Sequence, residues 1–291
     1  MAHRLLLDTS SLTYRAFFAL PTSIQGSDGT PVNAIRGYLD MTARLVTDLA
    51  PDEVVHAFDH DWRPAPRVAA YAGYKADRPP DPDDLPAQFT VLREVLGAAG
   101  QTVVEAPGWE ADDAIATLCH RAAAGDVVEV VTGDRDLLQL VRDETPDGPA
   151  VRVLFTVKGV SELARFDETA VEDKYGIPAR RYADFATLRG DPSDGLPGVR
   201  GVGEKTARQL VCAYPSLQAL LDDAGRQTPR LALSLRDAVG YLTAMAEVVP
   251  VHTDVEVTVD RAQRDDDRLD ELASTHNLDG PIGRLRRALD A

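Results

Sequence analysis

The first half of the chain switches between two hydrophobic rhythms. Short apolar runs at 3–8, 53–59, 102–105, 127–131 and 151–157 read as buried strands. Between the first two, Val32, Ile35, Leu39, Val46 and Leu49 recur at helical spacing within 31–50. Segments 86–99, 110–124 and 136–142 carry the same helical signal. This alternation predicts an α/β fold, a mostly parallel central sheet with helices on both faces. The stretch 61–86 breaks the pattern: it is rich in proline, arginine and tyrosine and long for a simple connection, which marks a functional excursion. Beyond about residue 167 the rhythm turns helical, at 167–175, 178–189, 203–213 and 229–248, interrupted by the turn-rich GDPSDGLPGVRGVG of 190–203. A late strand at 251–257 and a basic helix at 282–289 follow. The expected division is an α/β unit over 1–166 and a helical region over 167–291, with no flexible linker, internal repeat or low-complexity tract.

Composition narrows the possibilities. Hydrophobic residues are 44% of the 291, enough for a buried core, which excludes wholesale disorder. No apolar run approaches the roughly eighteen residues of a membrane span. The opening MAHRLLLD ends its apolar run after three leucines, short of the roughly 7–15 of a secretory segment, so a cytoplasmic location is expected. Cys119 and Cys212 lie far apart without a CxxC partner, which excludes a disulfide framework and a cysteine zinc site. His56 and His60 stand at i,i+4 with no second pair, and read as ordinary local groups. The net charge of −16 looks wrong for a nucleic-acid binder unless many acids gather around cations.

They do gather. Asp8 and Asp59 end the first two strands, and Thr-Gly-Asp134-Arg-Asp136 follows the fourth. In an open parallel sheet those strand ends form the ligand crevice. A single aspartate after a strand is usually a helix cap or turn residue; four on one edge ask for more. Glu110, Asp112 and Asp113 open a helix in WEADD. Acids favour a first helical turn, yet three in four residues repel one another unless cations bind. Asp191 and Asp194 belong to a Gly-Asp-Pro-Ser-Asp-Gly turn, a composition that by itself means only a turn. Setting these nine aside from −16 leaves −7 for the remainder. An all-oxygen donor set suits Mg²⁺ or Mn²⁺, and paired ions of that kind most often serve in-line phosphoryl displacement.

The motifs LLLDTSSLTYRAFFALP, SDGTPVNAIRGYL, HAFDHD, YKADRPP, GWEADDAIATL, VTGDRDLLQLV, KYGIP and LRGDPSDGLPGVRGVGEKTARQLV follow in order over about residues 3–221. With them the chain resembles the bacterial 5′ nucleases of the flap-endonuclease superfamily, which include the N-terminal nuclease domain of bacterial DNA polymerase I and stand-alone 5′–3′ exonucleases. The resemblance implies a metal-dependent 5′–3′ exonuclease and 5′-flap endonuclease acting on DNA in replication or repair, near the nucleoid, with no organic cofactor. It implies two Mg²⁺ or Mn²⁺ ions, the first surrounded by Asp8, Asp59, Glu110, Asp112, Asp134 and Asp136, the second by Asp113, Asp191 and Asp194. The excursion at 61–86 aligns with a helical arch. There Lys75 and Arg78 would meet the scissile phosphate as catalytic cations, Arg67 would hold phosphate, and Tyr74 would stack on a base. Tyr14 and Arg15 would face the substrate beside the metals. A helix–three-turn–helix near 186–213 would grip a DNA phosphate through Gly198, Gly201, Gly203, Lys205 and Thr206, with K⁺ on backbone carbonyls.

Two positions depart from the family pattern. Asp77 stands where asparagine is common and sets a negative charge beside the basic pair, and Gly195 replaces an asparagine whose amide would brace the second-metal turn. Three alternatives compete with the nuclease. A catalytically idle DNA-junction binder fits the same fold, and a PIN-type RNase shares clustered acids without the GVGEKTA segment. A Mg²⁺-dependent phosphatase explains the acids but neither the excursion nor the glycine-rich turn.

Overall fold

The protein is described over residues 1–291 by a computed structural model. Strands β1 (His3–Asp8), β2 (Glu53–Phe58), β3 (Thr102–Glu105), β4 (Val127–Thr132) and β5 (Ala150–Thr156) pair in parallel, and β6 (Leu163–Phe166) and β7 (Thr258–Asp260) close the edges antiparallel. The sheet order is β6-β5-β4-β1-β2-β3-β7. Helices α1 (Thr9–Ala19), α2 (Asn33–Leu49), α3 (Ala65–Ala70), α4 (Leu85–Ala98) and α5 (Ala111–Arg121) lie between the strands. The helical region contributes α6 (Glu168–Tyr175), α7 (Tyr182–Arg189), α8 (Glu204–Ala213), α9 (Leu217–Asp222), α10 (Pro229–Asp237) and α11 (Val239–Val248), and α12 (Asp266–His276) and α13 (Asp279–Leu289) end the chain. No helix is long and apolar enough to cross a membrane.

The period-two alternation of each strand feeds two cores. Leu6, Val55, Val104, Val130 and Val153 face a cluster of 40 buried residues that runs without a break into α7, α8 and α11. Leu5, Leu7, Val103, Val131 and Leu154 face a second cluster of 23, built with α2, α4, α12 and α13. Each buried leucine side chain contributes about 1.5–3 kcal/mol, so both faces hold the strand ends, and their acids, in fixed register.

Several elements differ from the sequence expectation. The late strand sits at Thr258–Asp260 rather than 251–257, and segment 136–142 is a short 3₁₀ helix, Asp136–Leu140. The stretch 229–248 divides at Ala238 into α10 and α11. Residues 258–291 return to the α/β unit instead of staying with the helical region: β7 extends the sheet beside β3, and Arg284 on α13 bonds Asp40 on α2 at 2.8 Å. Before α4 begins at Leu85, the excursion at 61–86 is helical only at Ala65–Ala70. Pro79, Pro80 and Pro82 offer no backbone N–H, so the later part cannot propagate a helix.

Candidate active site

The C-terminal ends of β4, β1 and β2 form one polar edge. Asp8 is buried (4% exposed), caps α1 by accepting the Ser11 N–H at 3.0 Å, and accepts the Thr132 hydroxyl at 2.6 Å. Asp59 accepts the Ala111 N–H at 2.7 Å, which pins the start of α5 to the end of β2. Asp134 accepts the Asp136 N–H at 2.8 Å, and Asp136 Oδ1 is buried with no partner at all. Burial, then repulsion from Asp59 and Asp134, lifts the Asp8 carboxyl from 3.8 to about 7 against its hydrogen bonds to Thr132 and Ser11. Burial and the neighbouring carboxylates raise Asp112, Asp134 and Asp136 as well.

A second group hangs from the excursion. Arg67, 2% exposed, donates to Asp113 Oδ1 at 2.7 Å and Oδ2 at 2.9 Å, and also to Glu110. Lys75 and the Tyr74 hydroxyl bond the same Glu110. Burial works against the Lys75 ammonium, but Glu110 and Asp194 together outweigh it and hold its pKa above the ordinary value. Lys75 has a left-handed backbone (φ 51°), and its N–H donates to the Asp194 carbonyl at 2.9 Å. Arg78 bonds Asp194 Oδ1 at 2.7 Å, so the excursion is fastened to the Asp191–Asp194 turn. Gly195 (φ 72°) lies where a Cβ would strike the Gly73 carbonyl. The turn is braced by this backbone approach, which accounts for glycine in place of an amide-bearing residue.

The third component is the 190–206 segment. Gly190 and Gly198, both at positive φ, bring their backbones so close that a Cβ on either would collide with the other strand of the turn. Gly198 N–H donates to the Tyr241 hydroxyl at 3.2 Å. Gly201 and Gly203 are exposed, and α8 begins after Gly203 with no side chain capping it. Its free N–H groups, with exposed Lys205 and half-buried Thr206, make a ready anion site.

Residues 3–176 match the family "5′-3′ exonuclease, N-terminal resolvase-like domain", and residues 177–271 match "5′-3′ exonuclease, C-terminal SAM fold". The chain belongs to the 5′–3′ exonuclease family. A 5′-3′ exonuclease of Streptomyces coelicolor is 45% identical over 307 residues, covering 99% of this chain and 100% of that protein. One of Mycobacterium tuberculosis is 42% identical, covering 98% and 97%. DNA polymerase I of M. tuberculosis is 45% identical over 86% of this chain, which spans 27% of that longer protein. Among solved structures, the T5 D15 protein co-crystallized with metal ions aligns at TM-score 0.65 with 13% identity, covering 99% and 98%. The catalytic core of Rad2 in complex with DNA aligns at 0.56 with 18% identity, covering 99% and 90%. At those identities the structural likeness shows the fold. The protein is a nuclease of the mixed-sheet α/β type.

Within this nuclease the nine acids share one region but play unequal parts. Asp113, expected beside the second ion, is fully buried here, and its two oxygens take both Arg67 contacts, the His252 N–H at 2.9 Å and the Glu110 N–H at 3.3 Å. Arg67 correspondingly turns inward to carboxylates rather than outward to phosphate. Tyr74, 4% exposed, is spent on Glu110 and has no open face for a base. Tyr14 bonds Asp81, and half-buried Arg15 lies along Gly133 beside the acids. The acids do not close into a ligand shell; no three or more His, Cys, Asp or Glu side chains stand close enough to hold one ion. Lys75 and Arg67 draw Glu110 aside, Arg78 draws Asp194, and the rest repel one another. The residues still fit hard divalent ions, since the donors are all oxygen and Asp136 Oδ1 is orphaned in the interior. Sequence reasoning missed Arg63, which donates to the carbonyls of Tyr74 at 2.7 Å and Ala72 at 2.8 Å and so shapes the excursion.

The crowded edge sets a pH dependence. A carboxyl raised above its unfolded value stabilises the fold fully below 3.8 and loses that contribution as pH climbs through about 7. The thermal midpoint in EDTA is therefore expected to fall between about pH 5 and pH 7.5, and Mg²⁺ to remove most of the fall. A midpoint that is flat or rising in EDTA over that interval contradicts an Asp8 carboxyl raised by its burial and its acidic neighbours.

Proposed function

We propose that this nuclease removes nucleotides from DNA 5′ ends and incises 5′ flaps, using two Mg²⁺ or Mn²⁺ ions at the carboxylate edge. The observation that supports this best is the joining of three parts. The acids that follow β1, β2 and β4 and the cationic excursion meet through Lys75 on Glu110, the excursion is tied to Asp194 by Lys75 and Arg78, and the same turn runs on in the chain to the open start of α8. Asp8, Asp59, Asp112, Asp134 and Asp136 would hold one ion, with Glu110 beside them, and Asp191 and Asp194 the second. When bound, such ions supply Lewis-acid stabilisation of the attacking and leaving oxygens of the phosphodiester.

The remaining work falls to the chain. The α8 N-terminus, with Lys205 and Thr206, holds a phosphate of the duplex and fixes its register without reading bases. Lys75 and Arg78 now neutralise Glu110 and Asp194. Arg78 is the open one of the pair, whereas Lys75 is buried on Glu110 and would have to leave that contact to meet a phosphate whose charge grows in the transition state. Tyr14 and Arg15 line the approach. K⁺ at the 198–203 turn and a cytoplasmic, nucleoid-associated location complete the proposal.

The idle junction binder remains the rival. End-labelled nicked, blunt and 5′-flap DNA, each incubated with Mg²⁺ and with EDTA, separates the two. Mg²⁺-dependent short products from the 5′ end, plus a released flap, are expected. Tight flap binding without any product in Mg²⁺ or Mn²⁺ would favour the rival.

A further inference from the structure

Beside Asp59, a cleft of about 590 Å³ opens between the end of β2, the first turns of α1 and helix α4. Five rings line it: Tyr14, Phe58, Trp62, Phe89 and the His60 imidazole. Phe89 packs against Tyr14 and Phe58 with ring centres 6.1 and 6.4 Å apart, and the Arg93 guanidinium lies 4.6 Å over Phe58. These groups are already tied down, Arg93 to Glu105 at 2.5 Å and Tyr14 to Asp81. Trp62 is the exception. Half of its surface is exposed (50%) at the mouth of the cleft. A large aromatic surface left open beside a polar rim marks a contact site.

The rim is acidic. Asp59, Asp81, Glu94 and Asp260 face the cleft against Arg93, with Glu94 paired outward to Arg268 at 2.7 Å. Phosphate is repelled by such a rim, whereas a flat, uncharged ring with polar edges is not. This combination selects a nucleobase. Position agrees with chemistry. The sheet order sets Asp134 and Asp136 after β4, Asp8 after β1 and Asp59 after β2, a row that starts near Asp194 and ends at the cleft. A strand that reaches the cleft from the Asp194 end of the row crosses the acids on the way.

We propose that this cleft receives the base of a nucleotide on the released side of the cut, stacked on Trp62. The inference rests on the DNA-cleaving function proposed above. The test uses two hairpin DNAs, one with a single-stranded 5′ overhang and one merely nicked, bound in Ca²⁺ in place of Mg²⁺. Trp62→Ala is expected to lower the overhang affinity relative to the nicked affinity at least fivefold, about 1 kcal/mol. An abasic residue at the first displaced position should cost wild type a similar factor and Trp62→Ala little more. The chain has two tryptophans, so a Trp109→Phe background isolates the Trp62 emission, which should be quenched by the overhang DNA and restored by the abasic one. Equal losses on both DNAs, or an abasic penalty undiminished in Trp62→Ala, would overturn the base site while leaving DNA binding intact. Failure of the wild type to bind either DNA would overturn the proposed function and this site together.

Discussion

Asp8→Asn is expected to reduce Mg²⁺-dependent cleavage about a thousandfold or more, near 4 kcal/mol, while making the metal-free protein more stable. The two effects share one cause. Asn keeps the shape and the α1 cap, because its amide oxygen still accepts the Ser11 N–H and its NH₂ can meet the Thr132 hydroxyl. Only the charge is lost. A carboxyl lifted from 3.8 to about 7 carries a ceiling of about 4 kcal/mol when ionised at neutral pH. Most of that penalty is desolvation, with a smaller part from Asp59 and Asp134, and a buried amide keeps some of the desolvation cost, so about 1–2 kcal/mol, or about 2–8 °C in thermal midpoint, is the expected gain. Single-turnover cleavage and melting in EDTA check both halves. A lower midpoint with wild-type cleavage would reduce Asp8 to a helix cap.

Lys75→Ala should slow single-turnover cleavage more than tenfold, at least about 1.4 kcal/mol. Its ammonium shares Glu110 with Arg67, and its backbone is hydrogen-bonded to Asp194. It therefore sits between the two proposed ion positions. Breaking a buried ion pair costs about 3–5 kcal/mol when it strands a charge. Here Glu110 keeps Arg67 and Tyr74, so a loss of about 1–2 kcal/mol of stability is expected instead. Flap affinity in Ca²⁺ should change much less than the rate. An unchanged rate would remove Lys75 from the catalytic groups and leave it a bridge within the fold.

The strand pattern and the acids were legible in the sequence because both follow short-range rules. Apolar runs of four to seven residues fix the parallel strands, and acids just after them must share an edge. The α1 helix was not, since TSSLTYRAFFA mixes hydroxyl, β-branched and aromatic residues of modest helix propensity. Arg67 shows a different limit. A sequence reveals a cation but not whether its partner is a phosphate or a carboxylate, and Asp113 lies 46 residues away. The same holds for Tyr74, whose partner Glu110 is 36 residues distant. The return of 258–291 to the sheet was equally hidden, because a three-residue edge strand carries almost no pattern of its own.

The central claim is that these clustered acids form a divalent-ion centre. Anomalous diffraction from crystals grown with Mn²⁺ tests it without recourse to activity. Strong peaks are predicted among Asp8, Asp112, Asp134 and Asp136 and beside Asp191 and Asp194, with Asp113 still held by Arg67. A map with no peak along that edge, or with a peak bound by Asp113, would contradict the account.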